Sequence, residues 1–273
     1  MIARRLVSVF VCLVVLTGCE CGSFESAPSE ALSAVATPPN FDRAMADHAA
    51  LAEIARDALI QGDLEVARQA MRKLAFFMEN VPYPAPGQEL ASVARELATQ
   101  VRQGRDLEES CMAFARLSYV CGQCHHALDR GPPMKLDVAP TGPDVSARMQ
   151  RHYWAIERMW EALLSDSPRT FQKAARTLAE APLQGNQVPD DENPPGVTRL
   201  AFEVHDLAFA AAVEGSNAAD DYVPEPGERR ESQPTSRGQA EIFGQLLYTC
   251  SQCHQLTGVK PALPHSAPGK DTP

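Results

Sequence analysis

The chain spells one helical unit twice and closes each copy with the same pattern, Cys121-Gly122-Gln123-Cys124-His125 in the first and Cys250-Ser251-Gln252-Cys253-His254 in the second. The copies align residue against residue. Met149-Gln150-Arg151-His152 repeats Met45-Ala46-Asp47-His48, and Ala162-Leu163-Leu164 repeats Ala58-Leu59-Ile60 at the same offset. Phe243, Leu246, Tyr248 and Cys250 repeat Phe114, Leu117, Tyr119 and Cys121. Self-similarity over such a length predicts a duplicated structural unit, with one terminal Cys/His motif per copy.

Periodicity within each copy is helical. Met45, His48, Ala52, Ala55 and Leu59 recur at three- and four-residue steps until Gly62, a C-terminal cap. Asp63 then starts a second helix, Leu64 to about Met78, with Val66, Ala70, Leu74 and Phe77 on one side. Pro82 to Gly87 reads as a rigid loop. A third helix is predicted from about Gln88 to Gln103, with Leu90, Val93, Ala94, Leu97 and Val101 as its apolar stripe. The fourth begins at an Asp106 N-cap with Glu109 three further on, a capping-box spacing. In the second copy Ser167-Pro168 stands where Asp63 stood, as a cap with Pro at the first helical position, and a third helix runs from about Val197 to Val213. Residues 184–196 and 215–238 are rich in Pro, Gly, Asp and Glu and read as long surface loops. The expected fold is therefore all-α: two tandem four-helix bundles over 41–130 and 144–258, joined by a linker at 131–143, with a flexible tether at 19–40 and a disordered tail at 259–273.

Two thiols three residues apart on a helical turn can each take one vinyl group of a haem as a thioether, and the adjoining imidazole then lies under the iron as proximal ligand. This assigns Cys121, Cys124 and His125, and Cys250, Cys253 and His254, to two covalently bound haem c groups. The same spacing also serves a single zinc site held by all four thiolates, or two redox-active Cys pairs, but neither needs a His at the next position in both copies. For the sixth iron position each first helix offers Met and His one turn apart: Met45 with His48, and Met149 with His152. His48 and His152 are preferred, because an imidazole on an Ala-rich apolar face is costly to bury without a partner and iron supplies one. Ligation by the Met pair and an open sixth position are the alternatives. His126, His205 and His265 read as surface residues. Trp154 and Trp160, the only tryptophans, read as ordinary core, with cover for a haem edge or for the contact between copies as the other use.

The chain opens Met1-Ile2-Ala3-Arg4-Arg5, followed by an apolar run from Leu6 to Leu16 too short to span a bilayer. Leu16-Thr17-Gly18-Cys19 follows and resembles the lipobox of bacterial lipoprotein signals. The resemblance implies that 1–18 is removed, that Cys19 is diacylated, and that the exported protein is tethered to a membrane on its periplasmic side; Glu20, in place of Asp, points to the outer membrane. The eight cysteines are then nearly all used: Cys12 leaves with the signal, Cys19 takes lipid, and four take haem. Cys21 and Cys111 are left, and no disulfide is expected between them. A net charge of −10 and a pI of about 5.2 argue against a nucleic-acid partner and suit a solvated acidic surface on which basic redox partners could dock.

Over 41–130 and 144–258 the residues resemble the class II c-type cytochromes, of cytochrome c-prime type. The placement of Cys-x-x-Cys-His at the end of the last helix carries the likeness; class I cytochromes have it near the start of the domain and use a Met well downstream, and no Met follows His254. The resemblance implies four-helix bundles whose sixth iron position faces the first helix, filled by a Met ligand or left open behind a bulky aliphatic. The function expected is one-electron transfer outside the cytoplasm, between redox partner proteins, by a carrier rather than an enzyme. A five-coordinate haem protein that binds or senses nitric oxide or carbon monoxide is the alternative. A dihaem peroxidase is a distant third, since enzymes of that type resemble class I cytochromes.

Overall fold

Capping side chains set the helix starts. Asp63 accepts from Val66 N at 3.0 Å, Asp106 from Glu109 N at 2.9 Å and Asp144 from Ala147 N at 2.8 Å, each satisfying one N–H that the first turn leaves without a partner. The computed structural model describes residues 41–132, 137–181, 194–214 and 236–259. The signal segment, Cys19, Cys21, the tether, most of both acidic loops, His265 and the tail lie outside the described residues. Eight helices occupy the described part: α1 Phe41–Gln61, α2 Leu64–Asn80, α3 Ala85–Gln103, α4 Leu107–Ala127, α5 Val145–Leu164, α6 Pro168–Ala179, α7 Val197–Val213 and α8 Arg237–Thr257. The class is all-α, and no helix among the described residues is long and apolar enough to cross a membrane.

Several local expectations are corrected. Helix α3 starts at Ala85 rather than Gln88, with Pro86 inside the first turn, where its missing N–H has no helical acceptor to lose. Its buried face is Gly87, Ala91, Ala94, Ala98 and Val101, while Val93 is 44% exposed. Small residues there let neighbouring helices approach, so the face follows size rather than hydropathy. At α4 only half of the capping box forms, because the Glu109 carboxylate accepts from Arg105 N at 2.9 Å instead of from Asp106 N. The complete box is at α8, between Ser236 and Gln239. Ser167 makes no side-chain bond to the α6 backbone and instead donates to Thr170 Oγ1 at 2.9 Å.

Sequential neighbours pack within each half, α1 to α4 and α5 to α8. Between the halves, α4 lies along α8, α1 packs on α8 and α5 packs on α4. Each first helix is thus enclosed by its own half and by the last helix of the other, and all the described helices belong to one compact unit. The C-terminal part of α5, Ala155 to Leu164, is buried on every side, Glu157, Arg158 and Glu161 included, and Ala55 to Ile60 of α1 likewise.

Two glycines make these crossings possible. A Cβ on Gly244 would stand 2.7 Å from Met112 Sδ, and one on Gly122 would stand 2.0 Å from the Leu163 carbonyl oxygen. Backbone cannot swing away as a flexible side chain does. Gly122→Ala is therefore expected to lower stability by about 1–3 kcal/mol, the usual range for overpacking, read as a lower thermal midpoint. An unchanged midpoint would mean that α4 and α5 do not approach so closely.

Candidate functional site

The last turns of α4 and α8 carry the two Cys/His motifs, and the local bonding repeats. Gln123 Nε2 donates to Tyr119 Oη at 3.0 Å, and Gln252 Nε2 donates to Tyr248 Oη at 2.8 Å. Each motif histidine then reaches into the other half. His125 Nδ1 lies 2.9 Å from the Leu164 carbonyl oxygen at the end of α5, and His254 Nδ1 lies 2.9 Å from the Ile60 carbonyl oxygen at the end of α1. Leu164 and Ile60 are equivalent in the repeat, and both are helix-end carbonyls with no intrahelical donor. Only a protonated Nδ1 can donate to a carbonyl, so in the neutral ring the lone pair is on Nε2. A carbonyl behind the ring that fixes tautomer and orientation is the usual support of a metal-ligating histidine.

Each motif faces a cavity. The first has a volume of about 690 Å³ and is walled by Met45, His48 and Ala52 of α1, Leu74 of α2, Phe114, Leu117, Cys121 and His125 of α4, and Trp160 and Leu164 of α5. That is within the range of small-molecule and cofactor sites. The second, about 70 Å³, is walled by Met149, His152, Tyr153 and Ile156 of α5, Leu200 and Val204 of α7, Cys250, Cys253 and His254 of α8, and Ile60 of α1. Both are mainly apolar. The first has the volume of a cofactor site, with Cys121 and His125 of its motif in the wall; the second is lined by all three of Cys250, Cys253 and His254 but is far smaller.

The candidate sixth ligands are placed differently in the two halves. His48 is buried, with its ring centroid 6.5 Å from that of His125 and 6.1 Å from Phe77, which it meets edge-on. Its Nδ1 is buried without a hydrogen-bond partner, an arrangement that costs free energy unless something else binds the ring. A metal–imidazole bond of about 2 Å on either side of one ion, with roughly 1 Å more to each ring centre, separates two axial imidazole centroids by about 6 Å. The His48–His125 separation is close to that value, with the ring planes tilted by 51°. His152 has a different engagement: its Nε2 lies 2.7 Å from the Ala181 carbonyl oxygen. The Met partners line the cavities too; Met45 also packs on a small cluster of Ala44, Phe77 and Val81.

Burial keeps the four imidazoles neutral. His48 is pushed down to about 3 by burial and by His125 beside it. Burial lowers His125, His152 and His254 as well, partly offset by their carbonyl contacts. Since the unfolded His48 ring takes a proton near pH 6.5 and the folded one resists until about 3, its contribution to stability is full above 6.5. It is lost as pH falls through that window, by about 1.4 kcal/mol per pH unit. Urea unfolding midpoints of the chain carrying no bound group are expected to fall in the order pH 7, 5 and 4, and less steeply in His48→Leu; equal slopes in the two proteins would contradict this.

Burial pushes Cys121 and Cys250 up to about 12, each with a further push from its motif partner, whereas redox-active Cys pairs work through a depressed thiol. Cys121 and the Cys250/Cys253 pair line different cavities, and no group of three or more His, Cys, Asp or Glu among the described residues could hold a metal ion by itself. All five described cysteines are free, with Cys111 buried. His126 is exposed, as expected, but His205 is only half-exposed and its Nδ1 is enclosed.

Sequence reasoning missed three wall and junction residues: Tyr153, Arg56 and the functional placement of Trp160. The repeat held the signal, because Arg56 stands at the offset that aligns it with Trp160. No family model, curated protein or solved structure matches the chain.

Proposed function

We propose that the chain is a dihaem c-type cytochrome, built as two related four-helix units. Cys121 and Cys124 hold one haem c by thioether bonds with His125 as proximal ligand, and Cys250 and Cys253 hold the other with His254. The observation that carries this reading is the reciprocal support of the two motif histidines by the Leu164 and Ile60 carbonyls, which directs both Nε2 lone pairs away from the helix ends that anchor them. Bound in these cavities, haem iron supplies one-electron exchange, tuned by axial ligand and burial.

The chain's own residues do the rest. His48, kept neutral by burial beside His125, would help to hold the group in the first site, and Phe77, Leu74 and Phe114 keep its surroundings apolar. A site closed on both faces has no vacancy for substrate, so the protein is a carrier rather than a catalyst. At the second site His152 is the equivalent residue and would have to give up the Ala181 carbonyl to hold the group. The Ala181 contact favours a second reading for that site alone, an open position that admits nitric oxide or carbon monoxide. The same proposal extends to export, lipidation at Cys19, and redox partner proteins, basic ones among them, on the acidic surface.

The test is the purified protein from a host competent in cytochrome c maturation. Two covalently retained haems by mass, with a low-spin ferric signal, are expected. Protein that carries no covalent haem overturns the reading.

A further inference from the structure

Arg56 is the largest side chain buried completely among the described residues, at 1% exposure. Its Nε donates to Asp57 Oδ1 at 2.8 Å and its Nη2 to Tyr153 Oη at 3.0 Å. The guanidinium carbon sits 4.6 Å from the Trp160 ring centroid and 5.8 Å from that of Tyr153, both within cation–π range. Tyr153 Oη also donates to Asp57 at 3.3 Å, and Trp160 Nε1 donates to Ser118 Oγ at 3.1 Å. Trp160 is a wall of the first cavity and Tyr153 a wall of the second. One buried cation thus stands behind the walls of both. It occupies the repeat position that Trp160 fills in the other half, so the two copies meet with a guanidinium on one side and an indole on the other.

We propose that Arg56, with Asp57, is a potential-setting pair shared by the two redox sites, a role that rests on the haem reading above. Reduction takes one electron from a partner into ferric iron, makes it ferrous and lowers the positive charge of the site by one. A buried cation beside the site favours the reduced form, and a buried carboxylate the oxidised form, because the interior does not screen them as water does. Charge placed between two such sites acts on both with the same sign.

The experiment is a spectroelectrochemical titration of the full holoprotein, with haem content by mass for every variant. Arg56→Met is expected to lower both midpoints, and Asp57→Asn to raise both, by about tenfold in each reduction equilibrium, which is 59 mV for a one-electron couple. The double variant is expected to return toward wild type, and Arg56→Lys, which keeps the charge, to stay near it. If Arg56→Met does not fold, the upward shift in Asp57→Asn carries the test. Midpoints that do not move, that move at one site only, or that move in Arg56→Lys as in Arg56→Met overturn the proposal while leaving the haem reading intact. Wild-type protein without haem overturns the haem reading instead, and the mass measurement separates the two failures.

Discussion

A Cys121→Ala/Cys124→Ala variant is expected to retain one covalent haem where the wild type retains two, with about half the haem absorbance per chain after denaturing extraction. The thioether bonds are the only covalent link proposed, and both thiols of the first motif lie on α4, so nothing else there can hold the group through unfolding. The α8 motif keeps its own thiols and its own cavity. Cys250→Ala/Cys253→Ala is expected to give the reciprocal loss, and the fourfold variant to keep none. Because a ligand bound to the native state adds to its stability, each double variant is also expected to melt below the wild type. Two haems retained by either double variant, or none by the wild type, would refute the assignment of the motifs.

The second large effect is at His48. His48→Leu is expected to convert the first site from a low-spin to a high-spin ferric signal, worth one haem per chain. It should also open that site to rapid carbon monoxide binding in the reduced protein. The leucine itself is compatible with the pocket: it removes a buried imidazole whose Nδ1 has no hydrogen-bond partner and leaves an apolar group against Phe77 and Leu74, so folding is not expected to suffer. His152→Leu is expected to make the same conversion at the second site, where the ring has first to leave the Ala181 carbonyl 2.7 Å away; a spectrum unchanged in that variant would favour the open position there. Equal spectral changes in the two variants would show that the sites are equivalent; no change in His48→Leu would remove it as a ligand.

The helices were legible because their signals are local. Asp63, Asp106 and Gly62 act within a turn of where they stand, and the 3.6-residue rhythm locates α1, α2 and α7 to within a few residues. Both Cys/His motifs were legible for the same reason, being five consecutive residues each. What could not be read is the set of features made by distant segments. The exchange of supporting carbonyls joins His125 to a residue 39 positions away and His254 to one 194 positions away, and no periodicity encodes such a pairing. The difference between His48 and His152 is of this kind, since the repeat makes them identical and only the Ala181 backbone sets them apart. Arg56 is a charged residue on an Ala-rich helix, and the pattern alone could not show that its side chain is enclosed against Tyr153 and Trp160 of the other half.

The exchange of carbonyls also bears on how such a protein matures and how it can be divided. Cut within 133–136, the amino-terminal piece would carry His125 without the α5 terminus that orients it, and the carboxy-terminal piece would carry His254 without the end of α1. Neither fragment then has a complete site, whatever thiols it keeps. In chain order the amino-terminal motif is made ahead of its support, whereas the carboxy-terminal one is made when its support already exists, so the two halves would be completed in opposite order.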